Sequence, residues 1–243
     1  MMECVARFMI AVILLSLLGG HAEAQWRSSI EPFVGLPSNA PPTEPLTGMP
    51  GPRTGVSIGM GVSYVNAQDI ADYIQGIVGR GQDIPEFKSS VEFFGAVSVP
   101  ISNDWILKFE YAYLLGTYNV QSLFGPAEFS FSDHMPTIIG QYVLMEEGSY
   151  NVRVGAGAGY HFGALSESFG TLNDKLTGHG LGTVIELEAN TAFGEDFYGY
   201  IGGNLRWEFI GDLTTSTRTI SAGSIPTFHF FGLGARFGFT YYF

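Results

Sequence analysis

Nine charged side chains stand at alternate positions inside otherwise apolar runs: Glu92, Glu110, Glu186, Glu188 and Glu208 against Lys108, Arg153, Arg206 and Arg236. Charge is scarce in this chain, 14% of 243 residues, against about 25% in ordinary globular sequences. Acids and bases nearly balance within the set. If they share a narrow, partly dry interior they must be paired and hydrogen-bonded, because an unpaired buried charge is very costly. Such a set either closes the interior as a salt-bridged filling, which is the expectation, or lines a conducting or gated path.

Other chemistry has less behind it. His134, His161, His179 and His229 have Ser and Glu nearby in sequence and could in principle supply a Ser-His-Glu site for lipid deacylation. No recognisable nucleophile motif surrounds any serine, so no catalytic residue is expected. His179 with Asp174, or Asp69, Asp72 and Asp83, lack metal-ligand spacing, and neither a metal nor a cofactor is expected. Gly155, Gly157 and Gly159 alternate instead of opening a helix, which removes the phosphate-cradle reading. The single cysteine, Cys4, precedes the first apolar run, so a chain processed after Ala24 contains no thiol and no disulfide.

The elements that must position the charged set are strands. From Gly55 onward apolar residues recur with period two, the mark of a half-buried strand. Val56, Ile58, Met60, Val62 and Tyr64 share one face of the first strand, and Val91, Phe93, Val97 and Val99 one face of the second. Trp105, Leu107, Phe109, Tyr111, Tyr113 and Leu115 oppose Lys108 and Glu110 in the third. The fourth, near 136–144, is the least regular. Tyr150 to Phe162 sets an apolar face against Arg153, three glycines and His161. Leu181, Ile185, Leu187 and Phe193 oppose Glu186 and Glu188, Ile201, Leu205, Trp207 and Phe209 oppose Arg206 and Glu208, and Phe231 to Phe243 opposes Arg236.

Size decides which face looks outward. A barrel of eight strands has an interior only just wide enough to fill with side chains, so the Gly, Ala and Ser face must point in and the Phe, Tyr and Trp face out, where only lipid tolerates it. Most strands reach the roughly 9–11 residues that cross a bilayer at a tilt, and past residue 24 no apolar run is long enough for a spanning helix. Trp105, Tyr150, Phe193, Phe197, Tyr241 and Phe243 would belt one rim, and Tyr64, Phe93, Tyr113, Phe162, Trp207 and Phe209 the other. Short turns at 101–104, 146–149 and 194–196 against long loops at 65–88, 116–132, 163–180 and 211–226 fit a barrel with short periplasmic turns, long extracellular loops and both termini in the periplasm. The fold class is an all-β, antiparallel up-and-down transmembrane barrel of eight strands, ten being the alternative count.

Two segments precede the barrel domain of residues 55–243. Arg7, the apolar run Phe8 to Leu18 and the small-residue site Ala22-Glu23-Ala24 read as a signal peptide over 1–24. Residues 25–54 carry prolines at 32, 37, 41, 42, 45, 50 and 52 and read as a periplasmic linker. Losing Arg7, Glu3 and Glu23 with the signal moves the net charge from −12 to −11, which argues against nucleic acid as a partner. In the first long loop Ile70, Ile74 and Ile77 or Val78 share a helical face after Asn66 as a cap, predicting a short helix over the barrel mouth.

The closing segment, Phe237, Phe239, Tyr241 and Phe243 at alternate positions, resembles the C-terminal signal by which bacterial outer-membrane barrels are recognised for insertion. With the signal segment and the strand count, residues 55–243 resemble the small barrels of the OmpA-transmembrane-domain, OmpX and OmpW type. That resemblance implies outer-membrane lipid, lipopolysaccharide and the barrel-assembly machinery as partners, with the loops free to meet an extracellular ligand that the sequence does not identify. Together with the balanced inward charges, a structural or surface-interaction role with a closed lumen is the expectation. A narrow channel for small or apolar solutes, in the OmpW manner, is the alternative, and a lipid-modifying enzyme the lesser one.

Overall fold

The structure is a computed structural model in which residues 53–78, 84, 87–122, 125–147, 149–215 and 227–243 are described. The expected signal segment, residues 25–52 of the Pro-rich segment and Asp83 lie outside them. Eight strands follow one another: β1 (Gly55–Asn66), β2 (Phe87–Pro100), β3 (Trp105–Ser122), β4 (Gly125–Glu147), β5 (Tyr150–Phe169), β6 (Leu172–Ala192), β7 (Phe197–Asp212) and β8 (Thr227–Tyr242). Each pairs antiparallel with its sequence neighbours, and β1 pairs with β8 to close the ring. Closure leaves no unpaired edge, so every strand can find its backbone partners without water.

The side-chain phase read from the sequence holds around the ring. Ile58, Phe93, Phe109, Ile138, Tyr160, Leu181, Ile201 and Phe237 lie exposed on the outside, while Glu92, Lys108, Glu110, Arg153, Glu186, Glu188, Arg206, Glu208 and Arg236 are buried inside. Of the two belts, Trp105, Tyr150, Phe193, Phe197, Tyr241 and Phe243 are exposed at the short-turn rim. At the other rim Tyr64, Phe93, Phe162 and Phe209 are exposed, whereas Tyr113 and Trp207 are half-covered, stacked on His134 at 4.6 Å and tilted against Phe231 at 5.4 Å.

Two expected loops are strand instead. Residues 116–122 and 125–132 extend β3 and β4, and 163–180 extend β5 and β6 to a turn at Gly170, whose φ of +60° favours glycine. The alternation continues through both, but its polarity reverses. Tyr118, Phe129, Phe131, Leu165 and Leu176 point in, while Asn119, Glu128, Ser166 and Lys175 point out. Above the outer aromatic belt the outside of the wall no longer faces an apolar medium, so the apolar side chains turn to the interior. The fourth strand, irregular in sequence because it holds this reversal, is the longest at 23 residues.

The first long loop contains the helix α1 (Gln68–Val78). It starts later than expected: Asn66, the anticipated cap, ends β1. Ile70, Ala71, Tyr73, Ile74 and Val78 are buried in one apolar cluster with Phe129, Phe131, Leu165, Ile210, Phe228 and Phe230. Burying each large apolar side chain contributes about 1.5–3 kcal/mol, which offsets the ordering of the short helix.

Candidate functional site

The inward side chains form strata along the barrel axis. At the short-turn end Tyr198 and Tyr242 meet edge to face at 5.0 Å, the Arg153 guanidinium lies 5.8 Å from the Tyr242 ring centre, and Asn190 donates to Asn151 at 3.0 Å. Beneath this floor Arg53 pairs with Asp196 at 2.5 Å and donates to the Glu195 carbonyl at 2.7 Å. Against a small loss of hydration that would lower it, the Asp196 carboxylate holds the Arg53 guanidinium above its ordinary value.

The middle stratum is a continuous chain of ion pairs. Lys108 Nζ donates to Glu186 at 2.9 and 3.0 Å and to Glu188 at 2.5 Å, and lies 3.1 Å from Glu110. Gln141 Nε2 ties the same two acids together at 2.7 and 2.8 Å. On its other side Glu110 accepts from Arg206 at 2.7 Å and from Arg236 at 2.9 Å. Both arginines also reach Glu92, which accepts a further hydrogen bond from Ser63 at 2.9 Å. Arg236 lies 4.9 Å from the Phe94 ring centre.

The partners differ from those that neighbouring strands suggest. Adjacency predicts Arg153 and Arg206 paired with Glu186 and Glu188. Arg206 on β7 instead reaches Glu92 and Glu110 on β2 and β3, and Lys108 on β3 reaches the two acids of β6. The lumen is narrow enough for long side chains to cross its axis, and bonds across the axis satisfy several walls at once. Arg153, directly across the β5–β6 ladder from Glu188 as expected, also meets the tyrosine floor, and Glu208 goes upward to His161.

Above the ion pairs lies a smaller polar group. His161 Nδ1 stands 2.5 Å from Glu208 Oε2, and its Nε2 stands 3.1 Å from Thr137 Oγ1. Asp133 is buried beside them. Asp133, Thr137 and Gln141 were not singled out from sequence, although Phe129, Phe131, Asp133, Met135, Thr137, Ile139 and Gln141 keep one phase. Of the other histidines, His134, His179 and His229 face outward. Asp174 is buried while His179 is exposed, so these two do not converge. Asp69, on α1, accepts from Thr227 and lies 3.5 Å from His229.

The apolar cluster under α1 caps the stack. There burial pushes the Tyr118 phenol up to about 12, with Lys88 Nζ 5.3 Å from its ring centre. The C-terminal quartet Phe237, Phe239, Tyr241 and Phe243 lies exposed on the outer wall of the last strand.

No protein-family profile matches the sequence, and no curated protein sequence matches it. Solved structures do. The outer membrane protein OprG from Pseudomonas aeruginosa superposes with a TM-score of 0.50 at 15% identity, over 80% of this chain and 98% of that one. Neisserial surface protein A gives 0.47 at 12%, over 78% and 97%, and the attachment invasion locus protein Ail of Yersinia pestis 0.46 at 13%, over 80% and 100%. The closed eight-stranded up-and-down ring of this chain is thus the fold of the outer-membrane barrel OprG.

Proposed function

We propose that this chain is an integral protein of the bacterial outer membrane whose closed lumen makes it a structural and surface-interacting barrel, neither a pore nor an enzyme. The observation that carries this reading is the filling of the lumen: a tyrosine floor, a cross-axis ion-pair network, the His161 group and an apolar cap under α1 succeed one another along the axis. The outward apolar belt with its aromatic rims supplies the surface that lipid and lipopolysaccharide would cover.

With the short turns and Arg53 placed in the periplasm, α1 and the extended β3–β4 and β5–β6 hairpins stand outside the cell, offered to an extracellular partner. The non-enzymatic reading rests on the four histidines among the described residues: outward His134, His179 and His229 meet Tyr111, Tyr160 and Asp69 and not a serine, and His161 points inward. His161 is buried, and its hydroxyl neighbour is Thr137, itself buried. No substrate at the mouth could reach that pair past the apolar cap.

Membrane fractionation, heat-modifiable migration on gels and surface labelling of a cysteine placed at Gln75 test the placement together. Folded protein in the outer membrane, labelled on intact cells, is the expected result. A soluble folded chain, or labelling only after the cells are opened, would overturn it.

A further inference from the structure

We infer that Asp133, His161 and Glu208 form an intramembrane binding site for a single divalent first-row transition ion, seated between the ion-pair network and the apolar cap. The three residues come from β4, β5 and β7, and one ligand atom from each lies within 4.8 Å of the other two. All three are buried, Asp133 at 0% exposure and His161 at 1%. Asp133 and His161 come from the paired strands β4 and β5 and Glu208 from β7, one strand beyond β6, which is why their sequence spacing does not resemble a metal motif.

The group lacks something that a cation would supply. Neither Asp133 carboxylate oxygen makes a hydrogen bond of normal geometry, and Glu208 Oε1 makes none. Buried carboxylate oxygens without partners carry a large desolvation cost. Below the group the charges balance: Glu92, Glu110, Glu186 and Glu188 stand against Lys108, Arg153, Arg206 and Arg236. Asp133 and Glu208 are left with one imidazole and a share of the field of Arg206, whose Nε makes no hydrogen bond. Arg206, on the same strand as Glu208, commits Nη2 to Glu110 and Glu92 and Nη1 to the Met135 sulfur. A divalent ion would neutralise the two remaining carboxylates.

The surroundings suit a ligand histidine. A Cβ at Gly182 would collide with the imidazole and with Glu208, and one at Gly159 would lie 2.6 Å from His161 Nε2, so glycine at both positions makes room for the ring. When Nδ1 binds the ion, Nε2–H is left to donate to Thr137 Oγ1, and the Thr137 hydroxyl donates on to the Met135 carbonyl at 3.2 Å. A hydrogen bond of this kind fixes the tautomer and ring orientation of metal-binding histidines. One imidazole and two carboxylates match zinc and its neighbours, with a position left for water. They are too few for calcium, which takes about 6–8 oxygens.

Because the site is enclosed, the ion must be present while the barrel closes. The test is to refold the urea-unfolded chain into detergent micelles with Zn2+ or Co2+, strip free ion by gel filtration, and measure retained metal and the Co2+ visible spectrum. We expect one ion per chain, a Co2+ spectrum of low-coordinate N/O ligation, and a higher urea midpoint than after refolding with chelator. Asp133→Asn, His161→Gln and Glu208→Gln should each weaken retention by at least about tenfold. His229→Gln, which removes the exposed histidine near Asp69, should leave it unchanged. A heat-modifiable wild type that retains no metal would overturn the site, as would folded Asp133→Asn that retains as much as wild type. A metal-free wild type whose stability rises on Asp133→Asn would show two acids sharing a proton instead.

Discussion

Glu110 joins the two halves of the lumenal network, taking Lys108 and Arg236 on one oxygen and Arg206 on the other. Removing Arg206 leaves Glu110 and Glu92 with fewer donors in a place that water reaches poorly. Arg206→Ala should therefore cost on the order of 3–5 kcal/mol, read from urea unfolding of the barrel in micelles. Arg153 stacks on Tyr242 at the floor, and Arg153→Ala should cost less, about 1–2 kcal/mol. Equal losses from the two variants would contradict the division of labour drawn here. The sequence alone made the inward position of each charge legible, because alternation fixes the face. It left the partners illegible: which wall a side chain reaches across the axis depends on barrel width and stagger, and the strand order in the chain encodes neither. Asp133 was missed because Phe129 and Phe131 point inward beside it, breaking the rule that aromatics mark the outer face.

Elements were legible wherever one environment covers the whole outer face of a strand, as on β1. They were misread at 116–132 and 163–180, where each strand leaves that environment and the same period two carries the opposite polarity. The helix α1 was readable from Ile70 and Ile74 because its apolar stripe is buried as a single face. Two predictions belong to β8. Phe237 is exposed on the outer wall in register with Met60 and Ile201, so Phe237→Arg should cost about 2–4 kcal/mol near the bilayer midplane, and Phe243→Arg at the rim about 0–1 kcal/mol. The comparison is made by unfolding in lipid vesicles, and similar costs at both sites would argue against a lipid-facing β8. Phe243 donates its backbone N–H to the Thr54 carbonyl and is 65% exposed. Deleting it should lower the heat-modifiable fraction recovered from the outer membrane while leaving refolding of the purified chain in micelles largely intact. Unchanged recovery in cells would remove its role as an insertion signal.

At the scale of the whole molecule, the barrel is a wall whose outside is sorted by height and whose inside is sorted the opposite way. Where the outer face is apolar the lumen holds charges, and where the outer face turns polar the lumen is packed with aromatic and aliphatic side chains beneath α1. Both changes come from one chain alternating with period two through two surroundings. The proposed closed lumen implies that a filled interior of eight-strand width leaves ions no continuous wet path. Single-channel recording in a planar bilayer tests this most directly. A silent wild type is expected, and a measurable ion current once Arg206→Ala leaves uncompensated acids that draw in water and cations. A wild-type barrel that conducts steadily, with a selectivity that shifts when Arg206 or Glu188 is neutralised, would contradict the closed lumen and make the network the lining of a channel.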